Sequence, residues 1–137
     1  MSLSQKCLLF LGTALISLNI NAQTVSDAGA LYNEGNSYYK EKDYSDAITA
    51  YEDAMEIANL VGGDAEELKE RIQTNLRKAY YGNATAFYKK GKFDEAISGY
   101  EKSYAYAEEL GDSKKMTNSK NNIAKVRTSK GTSYLKN

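Results

Sequence analysis

From about residue 24 onward, apolar side chains recur at spacings of three and four, broken only at short polar or glycine-bearing corners. Thr24, followed three residues later by Asp27, marks a helix start that runs to about Lys40 and carries Leu31, Gly35 and Tyr38 on one side. After the corner "KEKD", a second helix is predicted over Tyr44–Val61, with Ala47, Ile48, Tyr51, Ala54, Met55 and Ala58 on its inner face and Gly62-Gly63 as its stop. Asp64 and Glu67 have the spacing of a capping box for a third helix. Leu68, Ile72, Leu76, Tyr80 and Phe87 carry its stripe to Lys90, a length of roughly 40 Å. Gly91 separates it from a fourth helix, Phe93–Leu110. Gly111 separates that from a fifth, which begins at Asp112 or Ser113 and has only Met116, Ile123, Val126 and Tyr134 among polar residues. No stretch alternates as a half-buried strand does, and proline is absent throughout. The fold class predicted is all-α.

The helical pattern is written twice. "DYSDAITAYEDAMEIANLVGGD" (43–64) returns as "KFDEAISGYEKSYAYAEELGD" (92–112), with Ala47/Ala96, Ile48/Ile97, Tyr51/Tyr100, Glu52/Glu101 and Ala58/Ala107 identical at a constant offset of 49 residues. The preceding helix repeats too. Leu31, Gly35, Tyr38, Ala47, Tyr51 and Ala54 in the first unit match Tyr80, Ala84, Phe87, Ala96, Tyr100 and Ser103 in the second, interval for interval. Bulky, small and aromatic residues followed by alanine, aromatic and small residues resemble the tetratricopeptide repeat. The resemblance implies a short right-handed α–α superhelix of helical hairpins, in which small residues let helices A and B approach and aromatics fill the space between them. Repeat one spans about 28–61 and repeat two about 77–110. A partial third copy spans about 112–136, where "GTSYLK" echoes "GNSYYK" and puts Gly131 and Tyr134 in the roles of Gly35 and Tyr38. The period of 49 exceeds the usual ~34, with the additional length where the long third helix begins, and the "ELGD" ending of the second copy resembles the extended-helix branch of the family. Glu34 and Asn83 occupy a normally apolar position, and the closing proline is missing. The competing architecture for the same periodicity is a plain four- or five-helix bundle.

The chain opens differently. "MSLSQKCLLFLGTALISLNINAQ" has one lysine, then an apolar run from Cys7 to about Ile20, then small and polar residues. This is the pattern of a secretory signal peptide over residues 1–22, with cleavage after Ala22. The run is shorter than the ~20 residues that span a bilayer, so an uncleaved anchor is the lesser alternative and no permanent membrane span is expected. Cys7, the only cysteine, belongs to this segment, so the domain over 23–137 has none to form a disulfide. The Ala-Gln junction resembles exported proteins of Gram-negative bacteria, which implies the periplasm or the cell surface.

Composition removes most chemistry. Without histidine, and with no cysteine after the leader, the commonest general base, nucleophile and metal ligands are missing. The carboxylates of "DAEELKE" (64–70) read as a solvated helix start. Asn83-Ala84-Thr85 fits a glycosylation sequon but lies within a helix. No catalytic residue, metal site or cofactor is predicted, and the protein is not expected to be an enzyme. With 18 basic and 18 acidic residues, nothing draws it to nucleic acid.

Binding is the function the resemblance implies. In tetratricopeptide proteins the A helices line a concave groove for a peptide or partner helix. Carried over by repeat register, the groove-facing positions are Tyr32, Asn36, Tyr39 and Lys40, then Lys78, Tyr81, Thr85, Tyr88 and Lys89, then Lys125, Thr128, Thr132 and Lys136. This aromatic and basic stripe is expected to take protein or peptide partners carrying acidic groups. The competing explanation is that tyrosine is amphipathic filler and the lysines solvate the surface. The family's two-carboxylate clamp is not preserved: Asn36 and Lys125 fall on its positions, but Tyr32, Gly82 and Ser129 replace the rest. The chain therefore reads as an exported interaction module or adaptor. The alternative is a self-associating or truncated sensor segment of a larger envelope signalling system, in which a homo-oligomer covers the terminal helix. N-terminal sequencing of the protein from the envelope fraction should begin at Gln23; a start at Met1 overturns the cleavage assignment.

Overall fold

The structure, a computed structural model, describes residues 25–135, so the leader and Lys136 lie outside the described residues. Five α-helices follow one another: α1 over 25–41, α2 over Tyr44–Val61, α3 over Glu66–Lys89, α4 over Phe93–Glu109 and α5 over Ser113–Tyr134. Among the described residues there is no strand, and no helix is long and apolar enough to cross a membrane. Each helix packs on the next in sequence, as its short connection requires.

Three of the four corners share one geometry. Lys42, Gly91 and Gly111 take positive φ of 65°, 72° and 68°. The following backbone N–H reaches back five residues each time: Asp43 to Tyr38 at 2.9 Å, Lys92 to Phe87 at 3.0 Å and Asp112 to Ala107 at 2.8 Å. These bonds close the helix ends as a Schellman turn does. Glycine holds this conformation without strain; Lys42 holds it in the first hairpin at the position equivalent to Gly91. At the other end of α4's turn, the Asp112 carboxylate accepts the Lys115 N–H at 3.0 Å and caps α5 as predicted.

One predicted cap fails. Asp64 makes no capping bond; Gly62–Ala65 forms a 3-10 turn, and α3 starts at Glu66 with Ala65 as its N-cap. Ala65 is buried in the core and fixes the rotation of the turn, which leaves Asp64 in solvent. The third helix is accordingly 24 residues rather than the longer span the pattern suggested.

Two apolar clusters form the interior. The larger joins α1, α2 and the first half of α3 through Ala28, Ala47, Tyr51, Ala54, Ala58, Ile72 and Leu76. The smaller joins the end of α3 to α4 and α5 through Ala84, Ala96, Tyr100 and Val126. Leu31, Tyr38 and Phe87 pack at the margins, half-buried. Close approach depends on paired small residues. A Cβ on Gly35 would lie 2.6 Å from the Tyr51 ring, and one on Gly99 would lie 2.9 Å from the Ala84 Cβ. Gly35 and Ala84 are repeat equivalents, as are Ala50 and Gly99, so the two hairpins distribute glycine and alanine in opposite ways across the A/B contact.

The third copy is helical but not packed like the others. A Cβ on Gly131 would meet nothing within 4 Å, and Tyr134 is 70% exposed, so neither takes the role of Gly35 or Tyr38. Their partner in the earlier units is a B helix, and none follows α5 within the described residues. The side of α5 turned from α4 carries Thr117, Asn121, Ala124 and Thr128, all exposed. A polar outer face is what a terminal helix of a stacked array needs in water.

Two alanine substitutions in α1 separate packing from propensity. Gly29→Ala, with open space around it, should stabilise by up to about 1 kcal/mol. Gly35→Ala should instead destabilise by about 1–2 kcal/mol, because overpacking a buried site outweighs the helical gain. Thermal melts of the two variants should therefore move in opposite directions; a higher melting temperature for Gly35→Ala contradicts the contact.

Candidate functional site

Tyrosines hold the A helices to the B helices in the same way in both hairpins. Tyr51 of α2 is wholly buried and donates through its hydroxyl to Asn36 Oδ1 of α1 at 2.8 Å. Its equivalent Tyr100, 2% exposed, shares a 2.9 Å hydrogen bond with Thr85, the equivalent of Asn36. Ring pairs repeat as well. Tyr32–Tyr51 (5.8 Å between centroids) corresponds to Tyr81–Tyr100 (5.2 Å), and Tyr39–Tyr44 (5.6 Å) to Tyr88–Phe93 (6.2 Å).

Side-chain bonds then link one A helix to the next. Asn75 of α3 donates to Asn36 at 2.8 Å and to Tyr32 at 3.0 Å. Asn122 of α5 donates to Tyr81 at 2.7 Å, and Tyr88 bonds Ser129 at 3.0 Å. Lys125 lies 5.4 Å above the Tyr88 ring. These rungs set the spacing of α1, α3 and α5 and make the floor of a shared surface.

On that surface lies a cavity of about 390 Å³, lined by Tyr39 from the end of α1, Arg77, Lys78 and Tyr81 from the middle of α3, and Lys115 and Asn118 from the start of α5. It crosses the A helices diagonally. Its lining contains three cations and no carboxylate. An adjoining cavity, lined by Tyr32, Glu67, Glu70, Arg71, Thr74, Asn75 and Lys78, carries charge of both signs. Burial raises the Tyr39 phenol above its ordinary value, aided by Tyr44 and opposed by the nearby Arg77 cation.

The predicted groove residues divide accordingly. Tyr39, Lys78 and Tyr81 line the central cavity, while Tyr88 and Lys125 meet farther along. Tyr32 is mostly buried and packs on Tyr51, so it is a core residue with one edge on the adjoining cavity. Asn36 and Thr85 are engaged by Tyr51 and Tyr100 and hold the floor rather than face a ligand. Lys40, Lys89, Thr128 and Thr132 are exposed and line neither cavity; Lys136 lies outside the described residues. Arg77, Lys115 and Asn118 were missed. Repeat register put the third contribution to the groove at residues 125–136, whereas α5 enters it near its start.

A family model for the tetratricopeptide repeat matches residues 28–59, which cover most of α1 and nearly all of α2. The first hairpin is a tetratricopeptide repeat. No curated protein and no solved structure matches the chain. The second hairpin reproduces the repeat's small-residue contact, its buried tyrosine and its aromatic pairs at the constant offset. Tetratricopeptide repeats are modules for protein–protein interaction. Among the described residues no group of three or more potential metal ligands is present.

The buried phenols make the repeat pH-sensitive from the alkaline side. Burial, with Tyr32 adding and the Asn75 hydrogen bond opposing, raises Tyr51 to about 12. A folded pKa above the unfolded one means that the stability from the neutral phenol is complete below about pH 10 and is lost as the pH rises through about 12. Denaturant midpoints should be level up to about pH 9 and then fall. Tyr51→Phe should cost about 1 kcal/mol at neutral pH and make the alkaline fall shallower; an unchanged fall rules out Tyr51 as a contributor.

Proposed function

We propose that this protein is an adaptor that holds a segment of a partner protein along the surface formed by α1, α3 and α5. The observation that carries the reading is the diagonal cavity: tyrosine edges and cations from three successive A helices converge there on a scaffold whose first hairpin is a tetratricopeptide repeat. Tyrosine gives large contact area at low entropic cost, and a surface with cations and no carboxylate favours acidic segments. The leader-like sequence over residues 1–22 supports action outside the cytoplasm, in the periplasm or at the cell surface. The self-associating alternative has less to rest on, since Thr117, Asn121 and Thr128 make the outer face of α5 polar and only Tyr134 and Leu135 at its end are large exposed apolar side chains.

Tyr39 and Tyr88 stand at equivalent positions, half-buried against Tyr44 and Phe93. The double substitution to alanine should remove partners that the native chain retains from envelope extracts. Contact loss at two aromatic positions implies about tenfold or greater weakening, with the helical circular dichroism signal kept. Retention of the same proteins at the same yield by the double variant would sink the groove reading.

A further inference from the structure

The central cavity contains a charged group that the fold does not use. Arg77 is only 8% exposed, yet among the described residues it makes no ion pair and no side-chain hydrogen bond. The residue is packed in along its stem while its charge has no counter-ion among the described residues, and such a charge is tolerable only where the guanidinium keeps contact with water or meets an anion. No wholly occluded side-chain nitrogen or oxygen among the described residues lacks a partner, so its donors keep access through the cavity they line.

The neighbours of Arg77 have the same character. Lys78 and Lys115 add two ammonium groups, and no carboxylate lines the space to neutralise them. Tyr81 accepts the Asn122 amide at 2.7 Å, which occupies an oxygen lone pair and leaves its own O–H without an acceptor among the described residues. The cavity is thus rich in donors and poor in acceptors. The two-carboxylate clamp positions (Tyr32, Asn36, Gly82, Lys125 and Ser129) include none of these residues.

We propose that this cavity is a receptor for a single aspartate or glutamate side chain of the bound segment, with Arg77 as the fork at its wall and Lys115, Lys78 and Tyr81 as flanking donors. The planar guanidinium matches a carboxylate in two parallel hydrogen bonds. A volume of about 390 Å³ admits an acidic side chain with the adjoining backbone and excludes a whole helix. The proposal rests on the peptide-groove reading and assigns the place and chemistry of its specificity.

The test is selection of a random twelve-residue peptide display library on the immobilised full chain, followed by calorimetry with a recovered peptide. An acidic residue should recur at one position. Its replacement by the matching amide should weaken binding to the native chain by about tenfold or more, but by less than about twofold to Arg77→Met, if the two groups are direct partners. Lys115→Met, at a half-exposed position, should reduce the acid preference without affecting the fold and serves if Arg77→Met does not fold. Recovery of neutral or basic peptides overturns the receptor but leaves the groove, as does an amide penalty that is undiminished in Lys115→Met. Tighter binding of a phosphoserine version than of the acid assigns the cavity to phosphate and overturns the carboxylate reading. Recovery of no peptides at all removes the groove reading and this site with it.

Discussion

The architecture turns on a buried phenol reaching across a helix pair. Tyr51 and Tyr100 each place a large ring between helices A and B and anchor its hydroxyl fifteen residues back on helix A. Burying the ring is favourable only if the helices approach closely, which Gly35 permits in the first hairpin and Ala84 with Gly99 in the second. Burying the hydroxyl is tolerable only if it is bonded, so the residue after the small one must carry an oxygen. Asn36 and Thr85 meet that need. Asn36 also accepts from Asn75 of the following A helix, so the same network that closes one hairpin spaces the next.

That arrangement decides what is left for binding. Polar groups that look available on a helical wheel, such as Asn36, Thr85 and most of Tyr32, are engaged in holding the floor. What remains is Tyr39, Asn118 and the O–H of Tyr81, with the cations Arg77, Lys78 and Lys115. Their shared sign follows from composition at short range. The carboxylates of α3's first turns and of α2's outer face lie elsewhere, with Glu66 bonded to Lys69 and Glu52 to Tyr80. A chain that is neutral overall therefore presents a locally positive cavity.

The polar outer face of α5 has a similar logic. Its inner stripe, with Met116, Ser119, Ile123 and Val126, rests on α4, and the buried Ser103 and Ser119 hydroxyls pair there at 3.4 Å. Small and polar inner residues take the place there of the tyrosine stripes of the earlier helices. Lys130 with Asp94 and Arg127 with Glu101 add exposed ion pairs of small individual worth.

Helix number, helix direction and the hairpin repeat were legible in the sequence, because they depend on local periodicity, on left-handed corners and on intervals that recur at a fixed offset. Ala47, Tyr51, Ala96 and Tyr100 could be named as packing residues for that reason. The capping role given to Asp64 and the packing roles given to Gly131 and Tyr134 went astray because each depends on a neighbour outside the local stretch: the buried Ala65 contact, and a B helix to pack on. The site divides along the same line. Repeat register found Tyr39, Lys78 and Tyr81, which lie on helices whose phase it fixes. It passed over Arg77, Lys115 and Asn118, since the repeat offset of 49 residues says nothing of which part of α5 lies beside the middle of α3, where the start of α5 shares a cavity with it. The sequence alone determined the helices and their pairing, which follow from contacts close along the chain. Which parts of successive A helices lie side by side, and with that an arginine with a packed stem facing an open cavity, was decided only by tertiary packing, because it depends on contacts between residues far apart in the chain.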